Sequence, residues 1–121
     1  MRPRALKIHR VSAELELQYS DASFRLSAEF LRVHSPSAEV QGHGPGQAVL
    51  QSGKRQVQFK DLRPQGHYAV RILFSDGHDS GIYSWPYLRE LCDNHDTYWL
   101  KYLESLKTAG LSRDSGVFAR G

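Results

Sequence analysis

Histidine is the side chain best suited to acid–base or metal chemistry near neutral pH, and the chain has six in 121 residues. Three stand in segments broken by glycine and proline. His34 and His43 lie in "LRVHSPSAEVQGHGPGQ" (31–47), and His78 lies in "DGHDSG" (76–81), with Asp76 and Asp79 beside it. Imidazole nitrogens with carboxylate oxygens suit zinc, iron or nickel, with neutral histidine as the usual ligand form. None of the spacings is a closed zinc motif. The residues alone therefore leave two readings open: a metal position around His78, His43 and Asp76, or loops held by hydrogen bonds from His43 or His78 to backbone carbonyls. A third use, acid–base catalysis by His78, Asp76 and Asp79, is disfavoured because a hairpin tip offers little desolvation to tune a pKa.

Other chemistries find less support. "GHGPGQ" fits neither GxGxxG nor GxxxxGK[ST], and no strong strand precedes it. "GHDSG" places its serine fourth, so a GxSxG nucleophile elbow fails. Cys92 falls on an apolar helix face, where a thiol packs as a small hydrophobe and its pKa rises. Tyr83, Trp85, Tyr87, Tyr98, Trp99 and Tyr102 could line a partner groove, but their spacing suits core packing where sheet meets helix. The formal net charge is +3, with basic residues scattered along the chain, so no nucleic-acid face is expected.

The elements that must position these groups are legible in part. Leu15, Leu17 and Tyr19 alternate with Glu14, Glu16 and Gln18, the period of a half-buried strand. Leu6–His9 before it and Phe24–Leu26 after the "SDAS" turn complete a three-stranded meander. Residues 28–35 predict about two helical turns stopped by Pro36. Residues 42–54 read as loop, Gln56–Phe59 as a short strand and "DLRPQG" as a link. The strongest strand spans His67–Phe74, with Tyr68, Val70, Ile72 and Phe74 on one face, and Asp76-Gly77 suits a tight hairpin turn before "GIY". Ser84 is an N-cap with Pro86 in the first turn. Leu88, Leu91, Cys92, Trp99, Leu103 and Leu106 recur at helical spacing to Gly110, with a break at "CDNHD".

The expected fold is α+β: a small, mostly antiparallel sheet, meander plus hairpin, packed against a C-terminal helix or helix pair. Length fits one domain, residues 1–110, with 111–121 as a flexible tail. Apolar runs are too short for a membrane span, and the basic start lacks an apolar h-region. A lone cysteine allows no intrachain disulfide, so the expected location is cytoplasmic.

Two runs, "LRVHSPSAEVQGHGPGQ" and "VRILFSDGHDSGIYSWPYLREL", resemble the γ-butyrobetaine hydroxylase-like N-terminal domains, formerly a domain of unknown function (DUF971). The likeness covers residues 6–110, and "DGHDSGIYSWPYL" is its most specific part. It implies an α+β module, joined in the hydroxylases of carnitine biosynthesis to a separate jelly roll that uses iron and 2-oxoglutarate. It also implies a zinc site of three cysteines and the histidine of the DGH hairpin. Those positions fall on Ser35, Ser37, Val40 and His78, so the thiolates are missing and the zinc site is degenerate. The iron-binding His-x-Asp/Glu pair is missing as well.

The resemblance therefore implies a non-catalytic binding or adaptor module, with iron or zinc on altered ligands as the metal-binding form. Similar domains also occur attached to P-loop ATPases of the iron–sulfur carrier type, which implies a partner in iron or iron–sulfur handling. The competing expectation is an accessory subunit of a separately encoded iron/2-oxoglutarate oxygenase.

Overall fold

The computed structural model describes residues 1–114. Three strands, β1 (Ala5–His9), β2 (Glu14–Gln18) and β3 (Ser23–Ser27), form an antiparallel meander. The register sets Leu6 against Leu17 and Leu15 against Leu26, so one face is apolar and buried. The opposite face carries Glu14, Glu16 and Arg25, with Arg25 in ion-pair distance of both acids.

Helix α1 (Ala28–Val33) follows directly, and the Ser27 hydroxyl caps it by accepting from the Phe30 N–H at 3.0 Å. A single turn, α2 (Ala38–Gln41), comes next. It was not among the elements read from the sequence, because four residues carry no periodicity.

A second antiparallel sheet contains β4 (Phe59–Gln65), β5 (Ala69–Phe74) and β6 (Gly81–Ser84). The expected α+β architecture is thus present, with the meander and the hairpin in separate three-stranded sheets. The stretch read as a link is the body of β4. Pro64 is tolerated there because β4 is an edge strand, where a missing N–H is accommodated. The strand read from His67 begins two residues later, because Gly66–Tyr68 form the turn and Tyr68 points to solvent. Val70, Ile72 and Phe74 are buried as expected.

Helices α3 (Trp85–Asp93) and α4 (His95–Ala109) are separate, as the "CDNHD" break predicts. The Ser84 hydroxyl accepts from the Tyr87 N–H, Pro86 occupies the first turn, and Asn94 marks the break. Gly110 ends α4 at φ 70°, a left-handed conformation that favours glycine. Helix α3 contacts both β3 and β6, so Leu88 and Leu91 close a core shared by the two sheets with Phe30, Ile72 and Tyr83. Cys92 is buried there, and burial pushes its thiol up to about 12.

Residues 111–114 run along the 53–55 loop: the Gly53 N–H donates to the Ser112 carbonyl and the Arg55 N–H to that of Arg113. Arg113 also grips Glu29 through two bonds of 2.6 and 2.9 Å. The remainder of the expected tail, 115–121, lies outside the described residues. Among the described residues, no helix is long and apolar enough to cross a membrane.

Candidate functional site

The hairpin that carries His78 is wider than a two-residue turn. Strand β5 stops at Phe74 and β6 starts at Gly81, leaving residues 75–80 to fold back, and within them only Gly77 has a positive φ, 90°. The Asp76 carboxylate accepts from the His78 N–H at 3.1 Å, and the Phe74 N–H donates to the His78 carbonyl at 3.0 Å. These bonds turn the imidazole inward. His78 is 7% exposed, which corrects the expectation of a solvent-facing tip.

Inside, the ring meets the segment after α1. Its Nε2 lies 2.8 Å from the Ser35 hydroxyl and its Nδ1 3.1 Å from Glu39 Oε1. With Nδ1–H donating to Glu39, Nε2 accepts from the Ser35 O–H, and the Ser35 oxygen accepts in turn from the Ser37 N–H at 3.3 Å. Ser80 also donates to Glu39, at 2.8 Å. Burial, with Arg32 nearby, pushes the His78 imidazole below its ordinary range, against opposing pulls from Glu39 and Asp76. The shift favours the neutral form of the ring.

Asp76 is occupied elsewhere. Its Oδ2 accepts from Arg32 Nε at 2.9 Å and Lys54 Nζ at 3.2 Å. Burial alone would raise its pKa, but the His78 N–H, Arg32 and Lys54 together hold the carboxyl below the usual carboxylate range. His43 sits exposed in the loop after α2 and takes no part in these bonds. Asp79 is exposed, and its carbonyl accepts from Arg71. The three candidate metal residues are therefore not assembled: among the described residues, no three His, Cys, Asp or Glu side chains come together to hold a metal ion.

The four positions implied by the resemblance are all buried, but their donors are poor. Ser35 is fully buried on His78, Ser37 has an unpartnered buried hydroxyl, and Val40 offers only methyl groups. One imidazole, two hydroxyls and an isopropyl group do not fit zinc or iron. Ser35, His78 and Glu39 do follow the order of a hydrolytic triad. A Cβ placed on Gly81 would lie 2.5 Å from Ser35 Oγ, so that side of the hydroxyl is packed shut and no substrate carbonyl can approach it. The arrangement pins α1 and its following turn to the hairpin.

A second locus is centred on His34, which the sequence singles out without the groove beside it. The His34 ring packs 4.5 Å from Phe30 and 5.9 Å from Tyr98, centroid to centroid, and Nδ1 donates to the Phe30 carbonyl at 2.8 Å. Burial lowers its pKa, only partly offset by that bond. Beside it, α1, α2, the 48–51 strap and α4 line an open groove of about 470 Å³. The Tyr102 hydroxyl donates to the Gln51 carbonyl and the Val49 N–H to the Val40 carbonyl, both at 2.7 Å, fixing the strap. Tyr98 and Tyr102, read as core aromatics, thus serve as wall as well as core. Their only sequence signal was their one-turn spacing on α4, which is equally the spacing of a core stripe.

Comparison with known proteins places this geometry. The family model described as "Gamma-butyrobetaine hydroxylase-like, N-terminal" matches residues 6–89. Two proteins with solution NMR structures are similar. One is 51% identical, with a TM-score of 0.83 over 93% of this chain and 90% of its own. The other is 44% identical, with a TM-score of 0.79 over 93% and 84%. A crystal structure of a DUF971-family protein of unknown function from Acidithiobacillus ferrooxidans is 36% identical, with a TM-score of 0.62 over 74% of this chain and 91% of its own. No curated protein matches. With its hairpin, capped helices and matched residues in agreement, the chain belongs to the γ-butyrobetaine hydroxylase-like N-terminal domain family.

Proposed function

We propose that this chain is a non-catalytic binding module, an adaptor for a protein that handles iron or iron–sulfur clusters in the cytoplasm. The observation that carries the reading is the closed Ser35–His78 pair: both ring nitrogens of His78 face protein partners, and Ser35 is fully buried. The bonding order is that of a nucleophile and its base, but Ser35 is sealed from solvent and packed against the Gly81 backbone, so a substrate has no approach to it. The lone cysteine, buried and with its thiol pushed up, adds no reactive centre. The iron–sulfur direction comes from the family resemblance, in which such domains are attached to carrier-type P-loop ATPases.

A metal-bearing form, with iron or zinc on His78, His43 and Asp76, would require Asp76 to leave Arg32 and Lys54, and His78 to release Ser35. The donor set argues against it. Elemental mass spectrometry of untagged protein purified without chelators, beside His78→Ala, tests this directly. Substoichiometric metal in both proteins is the expected result, and stoichiometric metal lost in the variant would overturn it.

The adaptor reading is tested by purifying the chain from its native cells and identifying what remains bound. A P-loop ATPase of the iron–sulfur carrier type is expected. Recovery of a 2-oxoglutarate oxygenase instead would favour the accessory-subunit reading, which the hydroxylase-based description of the matching family supports. Turnover of any substrate that disappears in a folded His78→Ala protein would overturn the non-catalytic assignment.

A further inference from the structure

The groove beside His34 keeps unspent chemistry that the His78 locus lacks. Val33, Val40, Val49, Leu50 and Tyr102 give it apolar walls, and its volume of about 470 Å³ lies in the ~300–1,000 Å³ range of small-ligand sites. The strap bonds from Tyr102 and Val49 shape it in advance, so a ligand need not order the walls.

Most polar groups on the walls are already engaged. Gln41 donates to the Ser35 carbonyl, Gln51 bonds Arg32 and the Val49 carbonyl, and the Tyr98 hydroxyl donates to Glu90. Two groups are left over among the described residues. Among the described residues the Lys101 ammonium has no carboxylate within ion-pair distance, whereas Arg32, the other cation close to this groove, is held by Asp76. His34 spends Nδ1–H on the Phe30 carbonyl, which leaves Nε2 of the neutral ring as an acceptor without a protein partner. One cation and one acceptor beside an open apolar groove define a complementary molecule.

We propose that this groove binds a small amphipathic carboxylic acid bearing a hydroxyl. Its apolar body packs on Val33, Val40, Val49 and Tyr102, its carboxylate pairs with Lys101, and its O–H donates to His34 Nε2. The site stands whichever protein the module docks on.

Titration of the full chain with 3-phenyllactate, followed by ¹H–¹⁵N NMR, tests this. Two matched probes isolate the contacts: 3-phenylpropionate lacks the hydroxyl and 3-phenyl-1-propanol lacks the carboxylate. Saturable shifts at the amides of Val33, Val49, Leu50 and Lys101 are expected, with the alcohol at least ~10-fold weaker than the acids. Lys101→Gln, an exposed change that leaves the fold intact, erases the acid-over-alcohol preference. His34→Gln, in protein whose spectrum shows the native fold, erases the advantage of phenyllactate over phenylpropionate. Three results overturn the proposal: no saturation by about 10 mM, equal binding of acid and alcohol, or shifts confined to other surfaces. An acid preference that survives Lys101→Gln does so as well.

Discussion

His34 and His78 are both shielded rings with lowered pKa values, yet their surroundings are of opposite kinds. His78 lies between a hydroxyl and a carboxylate, and both its nitrogens are satisfied. His34 lies between aromatic faces, and one nitrogen is satisfied by a backbone carbonyl. Burial alone does not separate a structural histidine from a binding one. What separates them is the hydrogen-bonding capacity left after the fold has used its share.

The largest effect should come from the aromatic side of this contrast. Phe30 is fully buried and packs between His34 and His95, so Phe30→Ala should cost ~3–5 kcal/mol in urea unfolding. A loss below ~1 kcal/mol would mean that the stack does not hold the groove wall. On the polar side, His78→Ala removes a buried ring and takes from the buried Ser35 hydroxyl the acceptor for its proton, for an expected ~2–3 kcal/mol.

Gly81→Ala should cost ~1–2 kcal/mol, because the new methyl meets Ser35 Oγ at 2.5 Å. The same change made in a Ser35→Gly background should cost clearly less than in the native chain. Equal costs in a double-mutant cycle would show that the clash lies elsewhere.

The two rings should share a pH signature. Burial lowers both below the ordinary 6.5, so as pH falls the unfolded chain takes up these protons before the folded one. Their contribution is therefore complete above about pH 6.5 and is lost as pH drops towards the folded values. Urea midpoints between about pH 7.5 and 5 should fall with acidification, and His34→Gln and His78→Gln should each flatten part of that slope. Unchanged slopes in both variants would contradict the assigned neutral rings. The smallest effect belongs to His43→Ala, which should alter stability by no more than ~0.5 kcal/mol because the side chain is exposed.

Much of the fold was legible because local patterns and tertiary demands agree. The Leu15–Leu17–Tyr19 alternation, the Ser84 cap with Pro86, the break at Asn94 and the stop at Gly110 all appear where local chemistry puts them. The errors cluster where context overrides a local rule. Pro64 is harmless only because β4 is an edge strand, and Asp76-Gly77 opens a longer turn because the Asp76 side chain bonds the His78 backbone. His78 was legible as a special residue, but the hydroxyl and carboxylate that complete its environment come from residues about forty positions away. His34 was singled out with it, but the groove at its side gave no signal, since its neighbours Tyr98 and Tyr102 lie on another helix.

By itself the sequence determined the family, the period-two faces of β2 and β5, the start of α3 at Ser84, the break at Asn94 and the stop at Gly110. Those properties reside in residue type and short-range spacing, which need no third dimension. Tertiary structure alone decided which histidine would be fully used and which would keep a free nitrogen. Ring orientation and the number of remaining partners depend on packing between α1, α4 and the β5–β6 hairpin, elements that meet only once the chain has folded.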